Sequence, residues 1–484
     1  MKEDRKAELS PILTRQKSAL LTKYSSAFTE VISEWKAPRN TSTLCAMLCV
    51  IVVTASSTLV SPSKEAINKS LAFDGGALGL ASLDALYFYL TGLVTAPIFG
   101  LLAGYTSRDK LILTATLIVG VSTSLCAFAA NKNLFIWCRT MTGFGYGALL
   151  PVVMSIIGDW FSGSARQEIT GYITAVFGIG TFNGFVLSHI LKDHWQILFF
   201  VVGALTTAAG FLYFAVATEP TRGNAGGPDY VNDDLSFGTQ IKPLLGATNL
   251  AVFFNSFPGF IPFQLFMNSL DVMQPEAPLF LAFGFSMFIG SILGTWIGVA
   301  LYKINTGLPG IYCSFVACFR IIPILLFLQD SNDTASRYIY ISLIGLFLTQ
   351  HSPILAGMMM SVNMPEGRGM AVSVCSSFED LSRAVGPQIF VWFMNTFGMM
   401  GKTGPSVADQ KLALKWSLIV WVVTGLTLML TARSLAKDER NILALEDELT
   451  EAAKRRAERK ESLEAIATSV YRTREVFKPQ RSTL

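Results

Sequence analysis

Three charged residues fall together in an otherwise apolar stretch of the chain, namely Glu379, Asp380 and Arg383. Residues three and four positions apart are neighbours on a helix, so Arg383 can pair with either carboxylate. A single arginine does not satisfy two carboxylates at full charge. A carboxylate without a partner in a low-dielectric site can load and release a proton near physiological pH. The triad therefore predicts a proton-coupling or substrate site, and a static ion pair that locks the helices is the alternative.

Other ionisable residues also lie in the middle of apolar stretches, where each costs at least about 2.5 to 3.5 kcal/mol on insertion into a bilayer. His351, two residues before Pro353, titrates in the range of a proton relay, or it is a neutral histidine bonded to a carbonyl that the proline leaves free. Arg139 precedes a run of glycines, so it either binds an anionic group or ties closely packed helices together. For Arg320 a structural partner is favoured over a substrate contact.

A further segment combines helix breakers with aromatic and amide side chains. Prolines inside an apolar segment free backbone groups, which a membrane tolerates only where protein or water satisfies them. The segment around position 258 therefore predicts a gate or a kink that faces the substrate. Its helix-breaking residues are Pro258, Gly259 and Pro262, its predicted substrate-binding residues are Asn255, Phe257 and Gln264, and Pro151 and Pro353 mark similar breaks elsewhere.

Long apolar segments must hold these residues in place. Hydrophobic residues make up 51% of the chain and charged residues only 15%, which is typical of membrane proteins rather than soluble domains. About twenty apolar residues are needed to cross about 30 Å of hydrocarbon. We therefore predict an all-α integral membrane protein with twelve transmembrane helices, at approximately 41–61, 84–104, 111–130, 134–157, 170–190, 196–217, 248–270, 279–301, 309–328, 338–362, 369–395 and 413–432.

The chain also repeats itself at a shift of 202 positions, which aligns Gly143 with Gly345, Pro151 with Pro353, Arg166 with Arg368 and Gly184 with Gly386. A parallel repeat is typical of transporters whose two six-helix bundles share a substrate site near the bilayer midplane. The predicted organisation is an N-terminal tail at 1–40, a first bundle at 41–217, a linker at 218–246, a second bundle at 247–433 and a C-terminal tail at 434–484.

The two tails are rich in lysine and arginine, which favours the cytoplasmic side for both termini. Residues 20–35 have the apolar spacing of a helix that lies on the membrane surface or docks in the cytoplasm. Apolar residues at seven-residue intervals between Leu435 and Phe477 predict either pairing with a partner helix or a solvated charged helix. The sequons at Asn68 and Asn332 fall in loops that this topology places outside.

No nucleophile elbow, metal-ligand cluster or nucleotide-binding loop is present in the sequence, so we expect no enzyme, cofactor or nucleic-acid partner. The seven cysteines lie in predicted spans without a CxxC pair and are interpreted as packing residues. The expected partners are a small-molecule or lipid substrate, membrane lipids and, for coupled transport, a proton. The cell surface is one predicted location, and an endolysosomal or vacuolar membrane is another because Glu8 followed by Ile12 and Leu13 resembles a dileucine sorting signal.

From about residue 41 to 433 the chain resembles the major facilitator superfamily. Residues 139–147 (RTMTGFGYG) with Pro151 are similar to the arginine-led motif of its fourth helix. The stretch 363–369 (NMPEGRG) and the charged triad that follows resemble spinster-type members. The loop motif between the second and third helices is similar to 100–110 (GLLAGYTSRDK), which contains Gly100, Gly104, Arg108 and Lys110.

Two departures from the family pattern matter. Gly104 and Ser107 stand where the loop motif has an aspartate and a glycine, so the charge latch of this motif is absent or rebuilt. The first predicted span offers only hydroxyl side chains where spinster-type members carry charge, so any proton coupling is expected in the second half.

The resemblance implies alternating access, in which two bundles rock about a central site. The expected function is proton-coupled secondary transport of an organic anion or an anionic amphiphile such as a lysolipid or sphingoid phosphate. Arg139 and Arg383 would bind the negative group, and Glu379 or Asp380 with His351 would transfer the proton. The alternatives are a proton-independent facilitator of a neutral solute and a transporter-like sensor or scaffold that acts through its tails.

Overall fold

The computed structural model describes residues 37–161, 163–221, 241–273, 277–329, 333–364, 367–396, 400–401 and 404–448, with Glu451 and Arg455. Four predictions fall wholly or partly outside these residues: the surface helix at 20–35, the middle of the linker, the sequon asparagine at 332, and the heptad positions beyond 455. The described chain is almost entirely helical, as the apolar segments predict.

Within residues 37–221 seven helices form six membrane-length segments, because α1 and α2 belong to one segment. Asn131 caps α5 by accepting a hydrogen bond from the backbone N–H of Leu134, which satisfies one of the free donors at a helix start. The helices are α1 (Ala37–Ser57), α2 (Val60–Leu71), α3 (Gly76–Tyr105), α4 (Arg108–Cys126), α5 (Lys132–Trp160), α6 (Gly163–Ile190) and α7 (Trp195–Val216).

The second half also provides six membrane-length segments, three of which are built from two helices each. The two-residue strands β1 (Met400–Gly401) and β2 (Gly404–Pro405) pair in the loop before the last segment. The helices are α8 (Ala247–Met273), α9 (Ala277–Ile304), α10 (Leu308–Phe319), α11 (Ile321–Phe327), α12 (Thr334–Thr349), α13 (His351–Ser361), α14 (Arg368–Thr396), α15 (Val407–Ser417) and α16 (Ile419–Leu428), followed by α17 (431–448).

Eleven of these segments are long and apolar enough to cross a membrane by hydropathy alone. The twelfth is α14, whose 29 residues include Arg368 and the charged triad. Its length is sufficient, since a helix rises about 1.5 Å per residue. The membrane-length segment that hydropathy alone misses is therefore the one that bears the charged triad.

Several segments are interrupted where the sequence predicted continuous helices. The ninth segment breaks at Arg320, the tenth at Gln350 and the twelfth at Leu418. The first segment breaks between α1 and α2, where the hydroxyl groups of Ser56 and Ser57 bond back to carbonyls of their own helix at 2.6 and 2.7 Å. Such back-bonding competes with the helix ladder and bends it. None of these breaks is at a proline, and α5 continues through Pro151.

The repeat is visible in the packing of the two halves. A Cβ atom on Gly143 would lie 2.0 Å from the carbonyl oxygen of Phe88, so only glycine lets α5 approach α3 this closely. Its repeat counterpart Gly345 would meet the carbonyl oxygen of Phe283 at 2.5 Å, where α12 crosses α9. The same small residue therefore allows the same helix crossing in both halves.

The halves meet through α3 with α14 and α6 with α9. At the end of the bundle where α3 ends and α4 begins, here called the Arg108 end, one apolar cluster joins both halves through Met154 and Ile157 of α5 and Met358 and Met360 of α13. Towards the opposite end, the contacts between halves include the rings of Phe185 and Phe280, with centroids 4.9 Å apart.

Helix α17 packs on the second half instead of extending freely from it. Leu435 is fully buried and Ile442 is 6% exposed, so the first heptad positions of the tail are used within the chain itself. The Asp438 carboxylate accepts a hydrogen bond from the backbone N–H of Thr248 at 2.9 Å, at the start of α8. The part of the tail up to residue 448 is thus a component of the bundle.

Candidate functional site

A central cavity of about 180 Å³ lies between the two halves. It extends from Met154 and Met359, beside the apolar cluster at the Arg108 end, towards Ser61 and Ala81 near the opposite end. Both halves line it, which is the arrangement that alternating access requires. Its polar and charged lining residues include Ser57, Thr58, Asp84, Thr181, Asn255, Gln264, Arg320, His351, Glu379 and Arg383.

The three charged side chains lie together as the spacing predicts, but Arg383 pairs with both carboxylates, so neither is left without a partner. Arg383 donates from Nη2 to Oε2 of Glu379 and from Nη1 to Oδ1 of Asp380, both at 3.1 Å. One cation therefore faces two carboxylates, and the cluster carries one excess negative charge when both are ionised. The Glu379 side chain is 22% exposed and borders the cavity, whereas the Asp380 side chain is 2% exposed. A Cβ atom on Gly92 would lie 2.6 Å from Oδ2 of Asp380, so glycine makes room for this carboxylate.

Arg383 also connects the two halves. Its Nη1 lies 3.4 Å from the hydroxyl group of Tyr146 on α5. The guanidinium carbon lies 4.5 Å from the ring centroid of Phe260 in its own half, and 5.6 and 5.9 Å from those of Tyr89 and Phe177 in the other. Attraction between a cation and aromatic faces at these distances adds to the ion pairs. A change in the charge of the triad would therefore change the interaction of Arg383 with residues of the first half.

Arg139 is fully buried and engaged by its own half. Its guanidinium bonds to both carboxylate oxygens of Asp84, at 2.6 and 3.2 Å, and to the backbone carbonyls of Ser56 and Ser57 at the end of α1. The last carbonyls of a helix lack partners within the helix, and Arg139 satisfies two of them. This geometry favours the second of the two sequence interpretations, a polar tie that holds α1, α3 and α5 together.

Asp84 is a residue that the sequence interpretation missed. The predicted second span began at Asp84, which placed this residue at the membrane edge, whereas α3 begins at Gly76 and carries Asp84 into the bundle. The available signal was the presence of an aspartate next to a long apolar run. The carboxylate lies on the cavity wall, and its partner Arg139 lies behind it.

Arg320 and His351 form a second polar group on the cavity wall of the second half. Nη1 of Arg320 lies 3.3 and 3.5 Å from the two ring nitrogens of His351. The guanidinium carbon of Arg320 is 3.9 Å from the ring centroid of Trp421, and Trp421 donates from Nε1 to the carbonyl of Gly259 at 2.7 Å. His351 thus contacts Arg320, which the sequence interpretation had left out of the substrate site.

Helix α8 bends where the proline-rich segment predicts a kink. Phe257 has non-helical backbone angles, φ −118° and ψ 116°, immediately before Pro258. Asn255, Gln264 and Gly259 line the cavity, and the aromatic residues that reach it from this helix are Phe260 and Phe263. Phe257 does not line the cavity in this structure, so the predicted aromatic contact passes to Phe260, one turn along the helix.

The loop-motif arginine is held by ion pairs within the first half. Arg108 is 1% exposed, pairs with Asp159 at the end of α5, and bonds to Glu219 at 2.9 Å. Glu219 thus gives Arg108 a carboxylate partner, although the motif lacks its usual aspartate. Gly100 packs against α14, where a Cβ atom would lie 2.7 Å from Oγ of Ser373, whereas no contact within 4 Å from the described residues is found for one on Gly104.

Lys110 is exposed on α4, and Pro353 lies in the first turn of α13, where a proline is tolerated. In the tenth segment the break falls at Gln350, three residues before Pro353, and the Gln350 side chain accepts a hydrogen bond from the Tyr312 hydroxyl at 2.7 Å.

Among the described residues, no group of three or more His, Cys, Asp or Glu side chains is arranged to hold a metal ion.

Twelve membrane-length segments in two repeated halves, with a charged cavity between them, are the architecture of a membrane transporter. The sequence profile of the Major Facilitator Superfamily matches residues 46–387, and the chain belongs to this family of transporters. Protein spinster homolog 3 of Danio rerio is 23% identical over 394 residues, which are 73% of this chain and 77% of that protein.

The sphingosine-1-phosphate transporter SPNS2 of Danio rerio is 29% identical over 154 residues, 31% of this chain and 30% of that protein. The alignments with SPNS2 and with bacterial multidrug proteins cover less than a third of those relatives. A solved structure of a bacterial homolog of the human lysosomal transporter Spinster, inward-facing and unoccupied, matches with a TM-score of 0.61 at 14% identity, covering 83% of this chain and 98% of that one. The predicted family and its spinster-like relatives are confirmed, and the likeness of the structures concerns the fold alone.

Proposed function

We propose that the protein is a secondary transporter of an organic anion or an anionic amphiphile, and that proton transfer at the triad of Glu379, Asp380 and Arg383 drives it. The observation on which this depends is the charge imbalance of the triad, where one arginine is shared at equal distances by two carboxylates. Protonation of either carboxylate removes the excess negative charge. The cavity then accepts an anion more readily, because the repulsion from the triad is lost.

The contacts of Arg383 suggest how protonation and conformation are linked. In its present position Arg383 joins α14 to Tyr146 and to aromatic rings of the first half. When one carboxylate is neutral, Arg383 is attracted by one negative charge fewer within α14. Its contacts with Tyr146 and the aromatic rings of the first half then make up a larger share of its interactions. We assign the proton to Glu379 or Asp380, and we assign His351, which contacts Arg320, to the orientation of that arginine.

An apolar surface for a hydrocarbon tail is present in the same cavity. Phe260 and Phe263 of α8, Met267 one turn further, and Phe185 of α6 line it towards the end opposite Arg108. Apolar and aromatic walls with a few charged groups are typical of sites that bind amphiphiles. One relative of this chain is named a sphingosine-1-phosphate transporter, which is consistent with such a substrate class.

The cytoplasmic location of both termini remains part of the proposal. With that orientation the apolar cluster at the Arg108 end lies on the cytoplasmic side of the cavity. The opposite orientation would reverse the side from which substrate enters without changing the chemistry of the site.

Uptake into proteoliposomes tests the proposal. Purified protein is challenged with labelled organic anions and lysophospholipids, with an inward proton gradient or without one. A coupled carrier accumulates one class of anion only when the gradient is present. Uptake that ignores the gradient, or uptake of neutral solutes alone, would instead establish the facilitator.

The sensor or scaffold is tested with a truncated protein. Because α17 is packed on the bundle, the truncation must begin after residue 448. A carrier keeps its flux without residues 449–484, whereas a scaffold shows no flux in either form and loses its partners on truncation.

A further inference from the structure

Arg320 differs from the other arginines that are buried in this fold. Arg108, Arg139 and Arg383 each pair with at least one carboxylate within 3.1 Å, and Arg368 has a carboxylate oxygen of Glu446 at 3.9 Å. Arg320 is only 3% exposed, and within the described part of the chain no Asp or Glu oxygen lies within 4.0 Å of its nitrogens. Its Nε atom is buried without a hydrogen-bond partner. A buried cation without a counter-ion is costly, so a group that compensates its charge would be bound favourably.

The surroundings of Arg320 fix its position and leave its donors available. The ring of Trp421 lies 3.9 Å from the guanidinium carbon, and Trp421 is itself fully buried and bonded to the carbonyl of Gly259. A guanidinium that stacks by its face keeps its N–H groups free in the plane, where they match the two oxygens of a carboxylate or phosphate. The two distances to the His351 ring nitrogens are long for hydrogen bonds, so His351 positions Arg320 without using its donors fully.

Asn255 provides a second unsatisfied group in the same corner of the cavity. Its Oδ1 atom is buried and has no hydrogen-bond partner in the part of the chain that the structure describes, and the residue is 2% exposed. Gly259 is close to both groups. A Cβ atom on Gly259 would lie 3.7 Å from Oδ1 of Asn255, and the Gly259 carbonyl accepts the hydrogen bond from Trp421, on which Arg320 stacks. An asparagine amide can present either a donor or an acceptor to a ligand, because the carboxamide can be turned over. Arg320, Asn255 and His351 all line the cavity.

We propose that Arg320, with Asn255 beside it, is the primary binding site for the anionic group of the substrate, a carboxylate or a phosphate monoester. Trp421 and His351 hold the guanidinium in place. This site is separate from the triad, whose arginine already has two carboxylates. The inference rests on the proposed function, because it requires the cavity to be the path of an anionic substrate. In this division of roles, Arg320 binds the anionic group and Glu379 or Asp380 binds the proton.

Binding of three probes with the same acyl chain tests this division. The full-length protein in detergent is titrated with 1-oleoyl lysophosphatidate, with oleate, and with the neutral 1-oleoylglycerol. The wild type is expected to bind the two anions more tightly than the neutral probe, and the ratio of the two anion affinities identifies the preferred group. Arg320→Gln is expected to weaken anion binding at least tenfold and to leave binding of 1-oleoylglycerol unchanged. Arg320→Lys keeps the charge but loses the planar donor pair, so an intermediate affinity is expected.

Arg433→Gln is the matched control, since Arg433 is an exposed arginine of the same half outside the cavity. Unchanged binding of the neutral probe shows that the Arg320 variants are folded. If the wild type prefers the anions and Arg320→Gln preserves that preference, the assignment to Arg320 is overturned while the proposed function stands. If the wild type binds no anion more tightly than the neutral probe, the proposed function fails, and the anion site fails with it.

Discussion

The two halves share glycines and a proline at matching positions, but the arginines on and behind the cavity wall have no counterparts at the repeat shift. In the first half Arg139 is neutralised by Asp84 and by helix carbonyls, whereas in the second half Arg320 has no described carboxylate partner and Arg383 has two. At the repeat shift of 202 positions, Arg139 corresponds to Ile341 and Arg320 to Ile118. The repeat therefore preserves the helix crossings and gives each half its own electrostatics.

The same contrast holds on the cavity wall itself. Glu379 and Arg383 border the cavity, and their counterparts at the repeat shift, Phe177 and Thr181, border it from the other half. At these two positions the first half is therefore apolar and hydroxyl-bearing and the second half is ionisable, although Asp84 of the first half also lines the cavity. We infer that the first half is the stable frame of the site and that the second half holds the groups that exchange ions with the substrate path.

The largest effect is expected from Asp84→Asn. This change leaves Arg139 buried without its counter-ion, and loss of one partner of a buried pair typically costs about 3 to 5 kcal/mol in the free energy of unfolding. Arg320→Met, which removes a cation that has no such partner, is expected to leave stability unchanged or to raise it. Thermal unfolding in detergent measures both. Equal destabilisation by the two variants would contradict the contrast between the halves.

The double variant Asp84→Leu with Arg139→Met sharpens the same comparison. This variant replaces both charged side chains by apolar ones that fill the space, so no unpaired charge stays buried. Its free energy of unfolding should therefore be higher than that of Asp84→Asn alone. A double variant no more stable than the single one would mean that the helix-end carbonyls, and not the aspartate, hold Arg139.

An intermediate effect is expected at the interface between the halves. Gly100→Ala places a methyl group 2.7 Å from Oγ of Ser373, and overpacking of this kind costs about 1 to 3 kcal/mol. The closed contact at the Arg108 end should open more often, so backbone amides of 352–364 should exchange hydrogen for deuterium about fivefold to a hundredfold faster. Gly104→Ala, at an exposed position of the same helix where no described residue lies within 4 Å of the new Cβ, is the control and should not accelerate exchange. Equal exchange rates in the two variants would show that close packing at Gly100 does not support the contact between the halves.

The smallest effect is expected from Ser82→Ala. The Ser82 hydroxyl and carbonyl accept hydrogen bonds from Nε2 of Gln388 across the halves, at 2.5 and 2.9 Å. Loss of the hydroxyl should cost about 0.5 to 1.5 kcal/mol, since the carbonyl contact remains. The melting temperature would show this as a small decrease. Ser70→Ala, whose exposed hydroxyl bonds only to its own helix, is the comparison and should leave the melting temperature unchanged.

The sequence was sufficient for the features that depend on local spacing. Apolar run length predicted the spans, and the three- and four-residue separations predicted that Arg383 is within reach of Glu379 and of Asp380. Charge also explains why hydropathy alone misses α14. These inferences need no knowledge of which helices are neighbours.

The sequence was insufficient where a partner comes from another helix. The pairing of Arg139 with Asp84 joins α5 to α3, and the stacking of Arg320 on Trp421 joins the ninth and twelfth segments. Neither follows from spacing, and the boundary placed at Asp84 concealed the first. In the tenth segment the break was predicted at Pro353 and lies three residues earlier, at Gln350, whereas the break at Arg320 was not predicted.

The most direct test of the central proposal is proton movement into liposomes that contain the purified protein, measured with a pH-sensitive dye on addition of substrate. The wild type is predicted to take up protons when an anionic substrate is added, and Glu379→Gln or Asp380→Asn is predicted to abolish that uptake. Substrate flux without proton movement in the wild type, or proton uptake that persists in both variants, would contradict the role of the triad.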